Sequence, residues 1–203
     1  MLIDPALTER DFYKVMSGVI VPRPIAFVST VDSEGTPNLA PFSYFMPVSD
    51  VPPILCISIG GRAGEAKDTL RNIEATGEFV VNVVTEEIGA AMNVTSAEYP
   101  PEVNEFSEAG LTASPAVRVR APLVAESPVN MECRLLEILR FPRGRSGSGV
   151  VLGEIVLVHI RDELLRPDGS IDTLRLQALG RLSGALYCRT TDQVVHVRPR
   201  IAG

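Results

Sequence analysis

The sequence predicts a mainly β fold with short helices, a small barrel, and three observations carry that expectation. Residues 25–31 are a β-rich run, and Asp32-Ser33-Glu34-Gly35-Thr36 behind them has hairpin chemistry, with a glycine free to take positive φ. The return run, residues 38–45, is interrupted by Pro41. Proline has no N–H for a ladder, so this strand must lie at an edge or bulge away from its neighbour. Finally, the 16 prolines and 16 glycines are spread along the chain and punctuate short elements, as a barrel with many turns requires.

The remaining elements follow in order. Residues 7–16 read as a short entry helix, and residues 54–59 as a buried strand ending at Gly60-Gly61. Within residues 62–76, Ala66, Leu70 and Ile73 recur at i, i+4 and i+7, the apolar stripe of a helix that Gly77 can end. A fourth strand follows at residues 78–82, then a helix over 86–93. Residues 95–116 are loop-like, with Pro100-Pro101 near their start and a helical turn at 104–109; long irregular excursions usually cover something.

In residues 129–141 the alternation turns Met131, Cys133 and Leu135 inward and Glu132 and Arg134 outward, until Leu135-Leu136 breaks it with a bulge or a change of exposure. The basic run Arg143-Gly144-Arg145-Ser146-Gly147-Ser148-Gly149 lacks P-loop spacing and no helix follows it, so it reads as a solvated hairpin loop. A strand over 150–160, a turn at Pro167-Asp168-Gly169, and a final strand at 194–197 before a free end complete the chain.

The 203 residues suffice for one domain, 1–203, with a substantial core. A net charge of −6 argues against nucleic acid or an anionic membrane as partner, because phosphate backbones need a basic face. Charged residues interrupt the first 16 positions and no run reaches membrane-spanning length, so a cytoplasmic protein is expected. Cys56, Cys133 and Cys188 are far apart and read as reduced thiols in strands, and with two histidines no metal site is expected.

Candidate site residues cluster between positions 22 and 82. Ser29 and Thr30 close the first strand. A bend at Pro41 can present Asn38, Ser43 and the amides around Ala40 and Phe42 to a ring edge, or can be a plain barrel-rim bend. Arg62 and Gly64 precede the helix that carries Lys67, where free N–H groups and the helix dipole favour an anion such as phosphate. Lys67 is one of two lysines; its plain alternative is a solvated surface lysine. Ser58 can face the same place. His159, alone among aliphatic neighbours, reads as a packed or capping residue before a catalyst.

Taken together, Arg23-Pro24-Ile25-Ala26-Phe27-Val28-Ser29-Thr30, Asn38-Leu39-Ala40-Pro41-Phe42-Ser43, Lys67-Asp68-Thr69, Asn72, Phe79-Val80-Val81-Asn82, Gly153-Glu154 and Gly180-Arg181 resemble the flavin reductase-like, flavoredoxin-type family, in order and over nearly the whole chain. The resemblance implies an FMN-binding split β-barrel of Greek-key type and a homodimer with flavin sites near the subunit interface. It assigns Lys67, Asp68 and Thr69 to the cofactor and sets Arg181 and Tyr187 near the flavin, where an arginine can stabilise charge that develops on reduction. Some reductases of this kind have a histidine in the turn before the strand of His159; here that turn is Ser146 to Gly149.

The function expected is that of an NAD(P)H-dependent flavin reductase passing electrons to a partner oxygenase or other acceptor, in which the flavin does the chemistry and no catalytic triad is required. Arg181 and His159 are the weak catalytic candidates. Two alternatives stand: an FMN-bound electron carrier without its own NAD(P)H site, since no Rossmann glycine fingerprint is present, and a non-catalytic flavin- or heme-binding module.

Overall fold

The computed structural model describes residues 2–7, 11–62, 64–141 and 147–199. Helix α1 (Phe12–Val19) starts later than residues 7–16 suggested, because the Asp11 carboxylate caps it by accepting from the Tyr13 amide; residues 8–10 lie outside the described residues. Strands β1 (Ala26–Val31) and β2 (Pro37–Phe42) form the expected hairpin. Asp32 closes it by accepting from the Glu34 and Thr36 amides at 2.9 and 2.8 Å, and Gly35 takes φ +94°.

A second hairpin, β3 (Phe45–Asp50) and β4 (Pro53–Ile59), leads to α2 (Asp68–Thr76), which Gly77 ends in the left-handed region at φ 70°. Then come β5 (Glu78–Val83), α3 (Gly89–Val94), α4 (Glu105–Ala109), the short β6 (Ala113–Ser114) and β7 (Leu123–Val124), and the long β8 (Val129–Leu139) and β9 (Gly149–Ile160). A 3-10 turn, α5 (Thr173–Leu176) and the hairpin β10 (Leu179–Arg181) and β11 (Tyr187–Arg189) end the regular structure.

Seven strands form one sheet in the order β2-β1-β5-β8-β9-β4-β3, with every neighbouring pair antiparallel. Its two outermost strands, β2 and β3, are consecutive in the chain and joined only through Ser43 and Tyr44. So short a link rolls the sheet until its two end strands lie close together without pairing, so each keeps an unpaired edge. Pro41 thus sits on an end strand, where its missing N–H breaks no ladder.

The rolled sheet is apolar on both sides at β1. Ala26 and Val28 join Ile57, Phe79, Val81 and Val151 inside the barrel, under Leu70 and Ile73 of α2. On the other side Ile25 and Phe27 join Leu39, Met92, Phe106 and Val124 under α3 and α4. A strand covered on both faces must be apolar without alternation, which is why residues 25–28 run together.

Several expectations are corrected. Helix α2 begins at Asp68 with Lys67 as its N-cap, because Arg62 and Glu65 exchange backbone hydrogen bonds at 2.8 Å around Gly64 and hold the preceding turn out of the helix. Helix α3 starts three residues after Glu86, whose amide donates to Gln177 O while Thr85 bridges Ala178. Glu132 is fully buried rather than outward, under residues 117–119. Residues 194–197 form no strand, and Val194, Val195 and Val197 are exposed: a valine-rich run without a partner edge does not make a ladder. The break at Leu135-Leu136 is a bulge, with the β8–β9 register shifting between Leu135 and Glu137. Cys56, Cys133 and Cys188 are free and lie in strands. Of the basic loop 143–149, residues 143–146 lie outside the described residues.

Candidate functional site

A cleft of about 620 Å³ opens between β2, the start of α2 and residues 95–101. A smaller cavity of about 170 Å³ shares Pro41, Phe42 and Ser96 with it and continues past the β2 bend. The excursion 95–116 therefore covers something: its first residues wall the cleft, and Glu105 of α4 reaches the lining.

The β2 wall follows from proline geometry. The Leu39 amide points away from β1 and donates to Glu105 Oε2 at 3.1 Å. Two residues on, position 41 points the same way, where proline is tolerated. Side chains tie this wall to α2. Asn38 Nδ2 donates to Thr30 Oγ1 at 3.3 Å and to Thr69 Oγ1 at 3.0 Å, while Asn72 Nδ2 donates to Thr30 Oγ1 at 3.1 Å. All four residues are buried, so the network fixes the first turn of α2 against β2.

Positive and negative groups share the cleft, and most are paired. Arg62 meets Glu98 at 3.2 Å, and Arg71 pairs with Asp68 while donating to Ala66 O at 2.8 Å. Lys67 differs. Its Nζ lies 5.7 Å from the Phe42 ring centroid, and among the described residues it has no carboxylate partner. A lysine has no acceptor to cap a helix, so the first-turn amides of α2 also have no side-chain cap. An unpaired ammonium beside a helix N-terminus is a place for an anion. Glu105, buried behind it, has its carboxyl pushed up by burial against the opposing pull of the Leu39 amide, with Asp68 adding to the rise.

The structure brings most of the expected residues together. Asn38, Ala40 and Arg62 line the larger cleft with Lys67, Asp68 and Thr69. Ser43, Arg181 and Tyr187 line the smaller one, and Pro41 and Phe42 line both. Arg181 stacks over the Tyr187 ring at 4.4 Å and donates to Gly184 O within its own hairpin. Tyr187 Oη bonds Asn93 Oδ1 at 3.2 Å.

Four residues lie elsewhere. Ser29 is buried and donates to Pro122 O at 2.5 Å, while accepting from Asn82. Thr30 supports the site from beneath, through Asn38 and Asn72. Ser58 faces away from the barrel interior that its neighbours Ile57 and Ile59 fill, and lines neither cavity. His159 lies on β9, 2.6 Å from Glu132, outside both cavities. Glu105, Ser96 and Tyr13, which line the cavities, were missed by sequence reasoning. Glu105 carried one signal, a carboxylate in the first turn after the Asn104 cap, but nothing local showed that it folds back onto β2.

Residues 16–192 match the model of the flavin reductase-like domain. The chain belongs to the flavin reductase-like family. An uncharacterised Aquifex aeolicus protein is 40% identical over 90% of this chain and 92% of its own length. Among solved structures, nitrilotriacetate monooxygenase component B from Bacillus cereus superposes with a TM-score of 0.91 at 37% identity, covering 97% of this chain and 98% of that one. The 2-nitrobenzoate 2-nitroreductase of Pseudomonas fluorescens gives 0.88 at 33%, covering 100% and 98%. The rolled sheet is accordingly the split barrel of this flavin-binding oxidoreductase family. Among the described residues no helix is long and apolar enough to cross a membrane.

Proposed function

We propose that this protein binds FMN in the joined cavities and works as an NAD(P)H-dependent flavin reductase that hands electrons to a partner oxygenase or other acceptor. The observation that carries the reading is Lys67: a cation without a carboxylate partner among the described residues, at the uncapped start of α2, in a cleft whose size suits a small cofactor. Lys67 and the first-turn amides hold the phosphate. Thr69, whose oxygen already accepts from Asn38, has its hydroxyl hydrogen left for the same group. Pro41, Phe42 and Ser43 with Arg181 and Tyr187 give the smaller cavity one apolar wall and a few polar atoms, which suits a flat ring.

Bound flavin supplies two-electron chemistry, and the protein's part is to hold and orient it and to exclude water. The name of the similar monooxygenase component supports an oxygenase partner. A homodimer is part of the reading, since Met46 and Val48 on end strand β3 are half exposed and a second copy would cover them. Fluorescence quenching of FMN by the pure protein tests binding, with about one site per chain expected; a protein that takes up no FMN contradicts the reading. Anaerobic addition of NADH or NADPH should then bleach the bound flavin. If only dithionite does so, the electron-carrier alternative is correct. Light scattering at micromolar concentration should give twice the chain mass.

A further inference from the structure

Arg23 is almost fully buried, and its side chain does not enter either cavity. Its guanidinium nevertheless touches three of the segments around the smaller one. Nη1 donates at 2.7 Å to both Ser17 O and Ile20 O, carbonyls at the C-terminal end of α1, where the helix dipole favours a cation. Nη2 donates to Leu182 O at 2.9 Å, in the turn of the β10–β11 hairpin, and the backbone of Arg23 exchanges hydrogen bonds with Arg181 at 3.0 and 2.8 Å. Nε donates to Ser43 Oγ at 3.3 Å, at the junction of β2 and β3. The same three segments supply Tyr13, Ser43, and Arg181 with Tyr187 to the cavity lining.

The bond to Ser43 has a chemical consequence. A guanidinium has five donors and no acceptor, so Ser43 must be the acceptor of that bond. Its own hydroxyl hydrogen cannot go to Arg23 and is left for a group in the cavity that Ser43 lines. The cation behind it also polarises the hydroxyl, because hydrogen bonds in a chain strengthen one another.

We propose that Arg23 is a positioning residue that makes Ser43 an obligate hydrogen-bond donor to an acceptor atom of the flavin ring. The inference rests on the flavin reading above and deepens it: the phosphate is recognised by Lys67 at one end, and the ring edge by the Arg23–Ser43 pair at the other. Lysine cannot replace Arg23, because one ammonium cannot reach four acceptors on three segments in a fixed fork.

The test is a double-mutant cycle on riboflavin, which has the ring and no phosphate, with dissociation constants from fluorescence quenching and unfolding midpoints measured for every variant. Ser43→Ala should weaken riboflavin about 3- to 10-fold, the worth of one hydrogen bond. Arg23→Lys should weaken it comparably in the native background and by less than about twofold in the Ser43→Ala background, since the hydroxyl it orients is then gone. Equal losses from Arg23→Lys in both backgrounds, or no loss from Ser43→Ala, would overturn the inference and leave Arg23 as structural support alone. If Arg23→Lys does not fold, Ser43→Thr against Ser43→Ala decides: retained binding with threonine and loss with alanine is expected, and equal binding overturns it. Failure of the native protein to bind either riboflavin or FMN would overturn the flavin reading itself.

Discussion

Glu132 and Glu105 are both buried carboxylates, but the regions around them differ. Glu132 accepts from the amides of Val117, Arg118 and Val119 at 2.9, 2.5 and 3.0 Å, and lies 2.6 Å from His159 Nε2. Burial alone would raise its carboxyl, yet the bonds from His159 and the Val117 and Arg118 amides hold it below the ordinary carboxylate value. At Glu105 burial outweighs two amides, its own and that of Leu39, and the carboxyl goes up. The first region is closed on itself and clamps residues 117–119 to the barrel. The second, beside Lys67, faces a cleft with capacity left over. Satisfied polar groups mark structure here, and incompletely satisfied ones mark the site.

Breaking the closed region should have the larger effect. Glu132→Ala leaves three amides and His159 without their acceptor, and is expected to cost about 3–5 kcal/mol in urea unfolding. A loss below about 1 kcal/mol would mean that water replaces the carboxylate and that the clamp is incidental. Acid should act on the same group. A carboxyl held low in the folded state contributes stability that is present above its unfolded value, 4.5, and is lost as pH falls through the lower folded value. The stability gap between the native protein and Glu132→Gln should therefore narrow below about pH 4.5.

Glu105→Gln probes the open region and should change stability least. A carboxyl held high opposes folding when ionised, so the variant should match or exceed the native protein at neutral pH by up to about 1 kcal/mol. That margin should vanish as pH falls below the unfolded value, 4.5. A loss comparable to that of Glu132→Ala would erase the distinction between the two regions.

How much of this was legible in the sequence depends on range. The β1–β2 hairpin, the end position of β2 and the Gly77 stop rest on neighbours in the chain, so Asp32, Pro41 and Gly77 announced them. Gathering Pro41–Ser43 with Lys67 and with Arg181 was legible through the family pattern alone, because no local periodicity reports a contact between β2 and the β10–β11 hairpin. Ser29 was misplaced for a related reason. A hydroxyl at a strand end looks like a ligand donor until residue 122 folds across it and accepts its hydrogen. Glu132 looked outward because alternation cannot tell water from a covering segment.

The central claim is that the uncapped start of α2 and Lys67 form a phosphate site, and FMN against riboflavin isolates it because the two differ only at the phosphate. With a charged hydrogen bond worth roughly 1.5–3 kcal/mol, Lys67→Gln should weaken FMN about 10- to 150-fold and leave riboflavin unchanged, while Lys14→Gln on α1 should affect neither. Equal losses for both flavins on Lys67→Gln, or no loss for either, would contradict the assignment and place the phosphate elsewhere.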